Sequence, residues 1–95
     1  MPYVLIRHKI EDYAKWRPEY DEHGTSRRKA SGCKGTHVFR NSENPNEIVI
    51  LLEWDELENA RQFIQSEDLR EAMQRAGVAD QPDIYILDDA GRTST

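Results

Sequence analysis

One cysteine, Cys33, is all the thiol chemistry that the 95-residue chain offers. A disulfide framework and a thiolate zinc cage each need several sulfurs, so both are excluded, and a reducing cytoplasm is the expected setting. No apolar run approaches the roughly 20 residues that cross a bilayer, and Arg7, His8 and Lys9 interrupt the N-terminal stretch too early for a signal peptide. No membrane is expected as a partner. Basic residues are in deficit: 13 Lys and Arg against 18 Asp and Glu leave a formal charge of -5, which repels a phosphate backbone and argues against nucleic acid. Histidine is scarce as well. His8, His23 and His37 are scattered without close carboxylate spacing, so no metal site is expected.

The residues that are present alternate between strand and helix patterns. A β-branched and aromatic run over 2–9 reads as a first strand. Asp12 is placed to cap a helix whose inward stripe is Tyr13, Trp16, Tyr20, His23, Arg27 and Ala30, at steps of three and four. Pro18 falls inside that stripe and lacks the N–H a helix needs, which predicts a late start or a bend. Ser31-Gly32-Cys33-Lys34-Gly35 ends the helix, 36–40 reads as a second strand, 41–46 as a hairpin turn and 47–54 as a third strand. Asp55 with Glu58 resembles a capping box, Ser66 a fresh N-cap, Gly77 a stop, and 84–87 a last strand. One domain is expected over 1–88, with a polar tail at 89–95.

The order is therefore βαββαβ, an α+β ferredoxin-like arrangement in which a four-stranded antiparallel sheet carries helices on one face. Ile48-Val49-Ile50-Leu51-Leu52 is apolar on consecutive residues, and because side chains alternate faces, both faces of this strand call for cover. Helices on one side leave the other exposed. A homodimer that packs sheet against sheet is the expected solution, with the tail or the 41–46 loop folding over the open face as the alternative.

The run Glu43-Asn44-Pro45-Asn46-Glu47-Ile48-Val49-Ile50-Leu51-Leu52-Glu53-Trp54-Asp55, continued by Glu58-Asn59-Ala60-Arg61-Gln62-Phe63 and by Ser66-Glu67-Asp68-Leu69-Arg70-Glu71-Ala72-Met73, resembles the antibiotic biosynthesis monooxygenase-like family of the dimeric α+β barrel superfamily. The resemblance covers 3–87. It implies a dimeric α+β barrel and an activity drawn from a set that includes cofactor-free monooxygenases of polycyclic aromatic phenols, haem-degrading enzymes and lactone isomerases. The haem-degrading branch is similar in its use of an Asn on the first strand and a His on the second helix. This chain has Arg7 and His8 on the first strand and no His between Asp55 and Gly77, so no haem and no other cofactor is expected.

Trp16, Tyr20, His23 and Arg27 stand at i, i+4, i+7 and i+11, so one helix face offers two aromatic walls, an imidazole to move a proton and a guanidinium to hold a phenolate or carboxylate. His23 and Arg27 are the candidate catalytic pair; Trp16, Tyr20, Trp54, His8 and His37 are candidate ligand contacts. Each has a plainer reading: the aromatic stripe as core, His23 and Arg27 as the solvated end of an amphipathic helix, Trp54 as packing, His8 and His37 as satisfied or edge-exposed histidines. Lys34-Gly35-Thr36-His37-Val38-Phe39 echoes an RNA-recognition signature, but Thr36 and Val38 stand where stacking aromatics are required. The functional expectation is a small-molecule enzyme similar to cofactor-independent monooxygenases, acting on aromatic or polyketide-like substrates. The alternative is a non-catalytic homodimer that binds a small aromatic ligand, or an accessory dimer.

Overall fold

A computed structural model of the chain describes residues 1–94, with the side chains of residues 23–27 outside the description. The strands β1 (Tyr3–Lys9) and β3 (Glu47–Trp54) lie side by side at the centre of the sheet. The strands β2 (Cys33–Arg40) and β4 (Asp83–Leu87) take the edges, giving the order β2-β3-β1-β4 with every neighbour antiparallel. Three helices, α1 (Tyr13–Ser31), α2 (Leu57–Ile64) and α3 (Glu67–Arg75), complete a ferredoxin-like α+β fold.

Burial alternates along the central strands. Val4, Ile6 and His8 on β1 and Ile48, Ile50, Leu52 and Trp54 on β3 are buried toward the helices. Trp16 of α1 and Ala60 of α2 close over them, and each fully buried aliphatic side chain contributes about 1.5–3 kcal/mol. On the other face, Leu5, Val49 and Leu51 are only half-buried, while Phe39 and Tyr85 are exposed. Cross-strand register sets His37, Leu51, Leu5 and Tyr85 in one row over this open face.

Several local expectations change in the structure. Helix α1 does not start late: Asp12 Oδ1 accepts a hydrogen bond from the Ala14 N–H at 3.0 Å, and the helix runs from Tyr13 through Pro18 to Ser31. An N-cap of this kind is worth about 1 kcal/mol and fixes the start regardless of the proline. Strand β2 begins earlier than residue 36. Gly32 closes α1 with φ 109°, a left-handed turn that reverses the chain within one residue, and a register shift between Cys33 and Gly35 absorbs the misfit against β3. The Asp55–Glu58 capping box does not form. Glu56 is the N-cap of α2, and Asp55 Oδ1 accepts instead from the Glu56 N–H and from Asn59 Nδ2. Ser66 does cap α3, accepting from the Leu69 N–H at 3.2 Å, so the second helical segment is two helices.

Candidate functional site

Helix α1 crosses the sheet with its aromatic stripe facing inward, and α2 and α3 stand opposite. The space between them is a cavity of about 720 Å³. Ile6, Ile50 and Leu52 form its floor, and Phe63, Leu69 and Met73 line the far side. Phe63, Leu69 and Met73 are only half-buried because their inner surfaces meet the cavity instead of protein.

One wall is a ladder of stacked groups. His8 meets the edge of Trp16 at 5.9 Å between ring centres, Trp16 stacks on Tyr20 at 4.8 Å, and the Arg28 guanidinium sits 3.9 Å over the Tyr20 ring. Arg28 Nη1 also donates to the Tyr20 carbonyl at 3.2 Å. All four residues line the cavity. The helix supplies three rungs because residues four apart share a face, and His8 supplies the fourth because strand alternation turns it toward the helices alongside Ile6 and Val4.

Polar atoms along this wall lack partners. Both ring nitrogens of His8, the Tyr20 hydroxyl and Glu19 Oε2 are buried without a hydrogen bond. Among the described residues Glu19 Oε2 has only Arg75 Nε at 3.8 Å, an ion-pair separation beyond hydrogen-bond reach. Each unmet group of this sort costs about 1–3 kcal/mol, so their concentration at one cavity marks a place where a bound molecule or ordered water completes the bonding. Burial pushes the His8 pKa from 6.5 down to about 4, the Arg7 charge adding to it and Asp80 opposing, so the ring is neutral at pH 7. Burial likewise pushes the Tyr20 phenol up, offset in part by Thr36 and by the Arg28 charge. Thr36 favours the phenolate without reaching hydrogen-bond geometry. The wall thus carries a neutral proton acceptor and a neutral phenol donor.

The structure brings together His8, Trp16 and Tyr20. Trp54 is fully buried behind them, tilted against Phe63 at 4.9 Å, with its indole N–H unpartnered, and it touches the cavity only through Phe63. His37 lies across the sheet. It stacks on Phe39 at 4.0 Å on the open face and borders a shallow depression there with Tyr3, Leu51 and residues 88–92. His23 and Arg27 fall outside the described residues. Spacing did not single out Arg28 or Glu19. Seven residues return a helix to nearly the same face while eight overshoot by about 80°, and Arg28 reaches the wall through its length and its lean toward the helix N-terminus. Among the described residues, no group of three His, Cys, Asp or Glu side chains stands close enough to hold a metal ion, and no helix is long and apolar enough to cross a membrane.

Fold and cavity together define a small ferredoxin-like α+β domain with a cavity between its helices and its sheet. The chain belongs to the antibiotic biosynthesis monooxygenase family, whose profile matches residues 3–75. Solved structures agree at low sequence identity. A protein of Bordetella bronchiseptica assigned to the same family superposes with TM-score 0.76 at 18% identity, covering 94% of this chain and 96% of that one. One from Caulobacter crescentus superposes with TM-score 0.74 at 16% identity, covering 95% and 90%. SnoaB, a cofactor-independent oxygenase from Streptomyces nogalater, gives TM-score 0.71 at 11% identity, covering 99% and 97%. At these identities the likeness is one of fold. No curated protein matches the chain in sequence.

Proposed function

We propose that the protein is a cofactor-independent oxygenase of a hydroxylated, polycyclic aromatic small molecule that binds in the cavity under the helices. The observation that carries this is the set of unpaired polar atoms, His8 and Tyr20 foremost, on the aromatic wall of a cavity of about 720 Å³. Neutral His8 accepts the phenolic proton of the substrate, Tyr20 donates a hydrogen bond to a ring oxygen, and Trp16 stacks against the flat frame. Loss of the proton makes the ring system electron-rich enough to reduce dioxygen; a ring methylene and O2 become a carbonyl and water. His23 and Arg27, on the same helix, are proposed as a further proton acceptor and anion holder.

The open sheet face supports the second half of this reading, a homodimer packed sheet on sheet, in which Leu5, Val49, Leu51, Phe39 and Tyr85 are covered. The lone, buried Cys33 supports a cytoplasmic setting. A binding role without turnover is favoured by one feature: a His8 pKa near 4 makes imidazolium costly, so the proton transfer is uphill for a weakly acidic phenol.

The two readings separate in one assay. Dioxygen uptake and quinone absorbance are followed with 1,8-dihydroxyanthrone, relative to buffer, for the wild type, His8→Leu and His23→Ala. Turnover lost in His8→Leu supports the oxygenase with His8 as acceptor, and turnover lost only in His23→Ala moves that role to His23. Saturable binding with no uptake above buffer leaves a binding protein.

A further inference from the structure

The ladder that starts at neutral His8 ends at a cation. Arg28 is 9% exposed, among the described residues the one charged side chain of the cavity wall that is buried. The other charged residues of the lining differ in kind. Lys29, Lys34, Asp55 and Asp68 are exposed at the rim, and Glu19 faces Arg75. Water screens rim charges, whereas a buried charge on the cavity wall acts on a ligand with less screening. Burying a guanidinium in an aromatic wall is costly in the absence of compensating contacts, and here the ring and carbonyl of Tyr20 supply some of them. A guanidinium has several donors in a planar fork, the geometry that matches a carboxylate.

We infer that Arg28 is a specificity determinant that selects aromatic ligands bearing a carboxylate, placed on the frame at the end remote from the hydroxyl that meets His8. The inference rests on the cavity reading given above and refines it to a substrate class, hydroxylated aromatic acids. The geometry requires the separation of the two groups: His8 and Arg28 stand at opposite ends of the ladder, with Trp16 and Tyr20 between them. A flat molecule laid along the two rings reaches both.

The test is titration calorimetry of the full-length wild type at pH 7.5 with three probes of one shape: 6-hydroxy-2-naphthoate, its methyl ester and 2-naphthol. The acid is expected to bind at least about tenfold more tightly than either neutral compound, as a charge-assisted, forked contact requires. In Arg28→Gln that ratio collapses to near one, and in Arg28→Lys, which keeps the charge and loses the fork, it falls in between. An ester or naphthol that binds the wild type as tightly as the acid overturns the inference and leaves the cavity reading standing, an outcome that needs no variant to fold. Failure of all three to bind overturns both. Retention of the full ratio in a folded Arg28→Gln, checked by near-ultraviolet circular dichroism, also overturns the assignment to Arg28.

Discussion

The two faces of the sheet are built from the same two central strands and are finished in opposite ways. Toward the helices, Val4, Ile6, Ile50 and Leu52 are sealed, yet the cover stops short and leaves a cavity whose wall holds unpaired polar atoms. Away from the helices, Leu5, Val49 and Leu51 form an apolar surface with little polar chemistry beyond His37 and the Arg7 cluster, in which Arg7 pairs with Glu47 at 2.9 Å and Asp83 at 3.1 Å. One face has spare hydrogen-bonding capacity and the other has spare apolar area. The proposed aromatic ligand would answer the first need, and the proposed second sheet the second.

The comparison breaks most severely at the top of the covered face. Trp54 is fully buried where β3 meets α2, so Trp54→Ala is expected to cost about 3–5 kcal/mol in urea unfolding, the range for a large aromatic lost from a packed core. A loss below about 1 kcal/mol, well under that range, would show that this end of the cavity is loosely packed.

Acid comes next. His8 has its pKa depressed from 6.5 to about 4, chiefly by burial, so the folded state binds fewer protons than the unfolded state across that interval. Its contribution is fully present above pH 6.5 and is lost as pH falls toward 4, on the order of 3 kcal/mol over the window. Glu47 and Asp55, both held below their usual range, by Asn41 and Arg7 and by Asn59 respectively, lose stability in the same direction but lower down. Comparing unfolding free energies at pH 7 and pH 5 for wild type and His8→Leu isolates the histidine: the variant is expected to show the flatter profile. Parallel profiles would mean that the His8 ring is solvated.

The open face is tested by Leu51→Glu, which sets a carboxylate in the row formed with His37, Leu5 and Tyr85. If a second sheet covers that row, sedimentation equilibrium is expected to show dimer association weakened, with Kd raised about a hundredfold, near 2.8 kcal/mol. The monomer fold should survive, because Leu51 already faces away from the helices. A wild type that sediments as one copy at every concentration ends the dimer proposal.

Most of the architecture was legible in the sequence because it rests on local signals. The consecutive apolar residues of β3 announced a strand that calls for cover on both faces, Asp12 and Ser66 announced helix starts, and Gly32 announced the reversal. The misreadings came where two local rules competed. At Pro18 the missing N–H argued for a late start or a bend, but the cap at Asp12 and the burial of Trp16 set the start at Tyr13. At Asp55 the side chain bonded to its neighbour's N–H and to Asn59 in preference to a helix-capping geometry. The site was legible only in part. Trp16 and Tyr20 followed from periodicity, whereas the importance of His8 depends on whether its ring finds a partner, a tertiary fact, and Arg28 reaches the wall by side-chain length.

The smallest expected effect is the sharpest test of the covered face as a binding surface. Tyr20 stacks on Trp16 and its hydroxyl is buried with no hydrogen bond, so the oxygen is a burden on the free protein. Removing a buried polar group that has no partner relieves a desolvation cost, and Tyr20→Phe is therefore expected to raise unfolding stability by up to about 1 kcal/mol in ligand-free protein. The same change should weaken binding of a hydroxylated aromatic such as 2-naphthol by a few-fold, because the ligand loses the donor that the oxygen provides, a loss of about 1 kcal/mol. A gain in stability paired with a loss in binding identifies a group kept for a ligand at the expense of the fold. A loss in stability instead would show that water or Thr36 already satisfies the hydroxyl, and the wall would then be less prepared for a ligand than its geometry indicates.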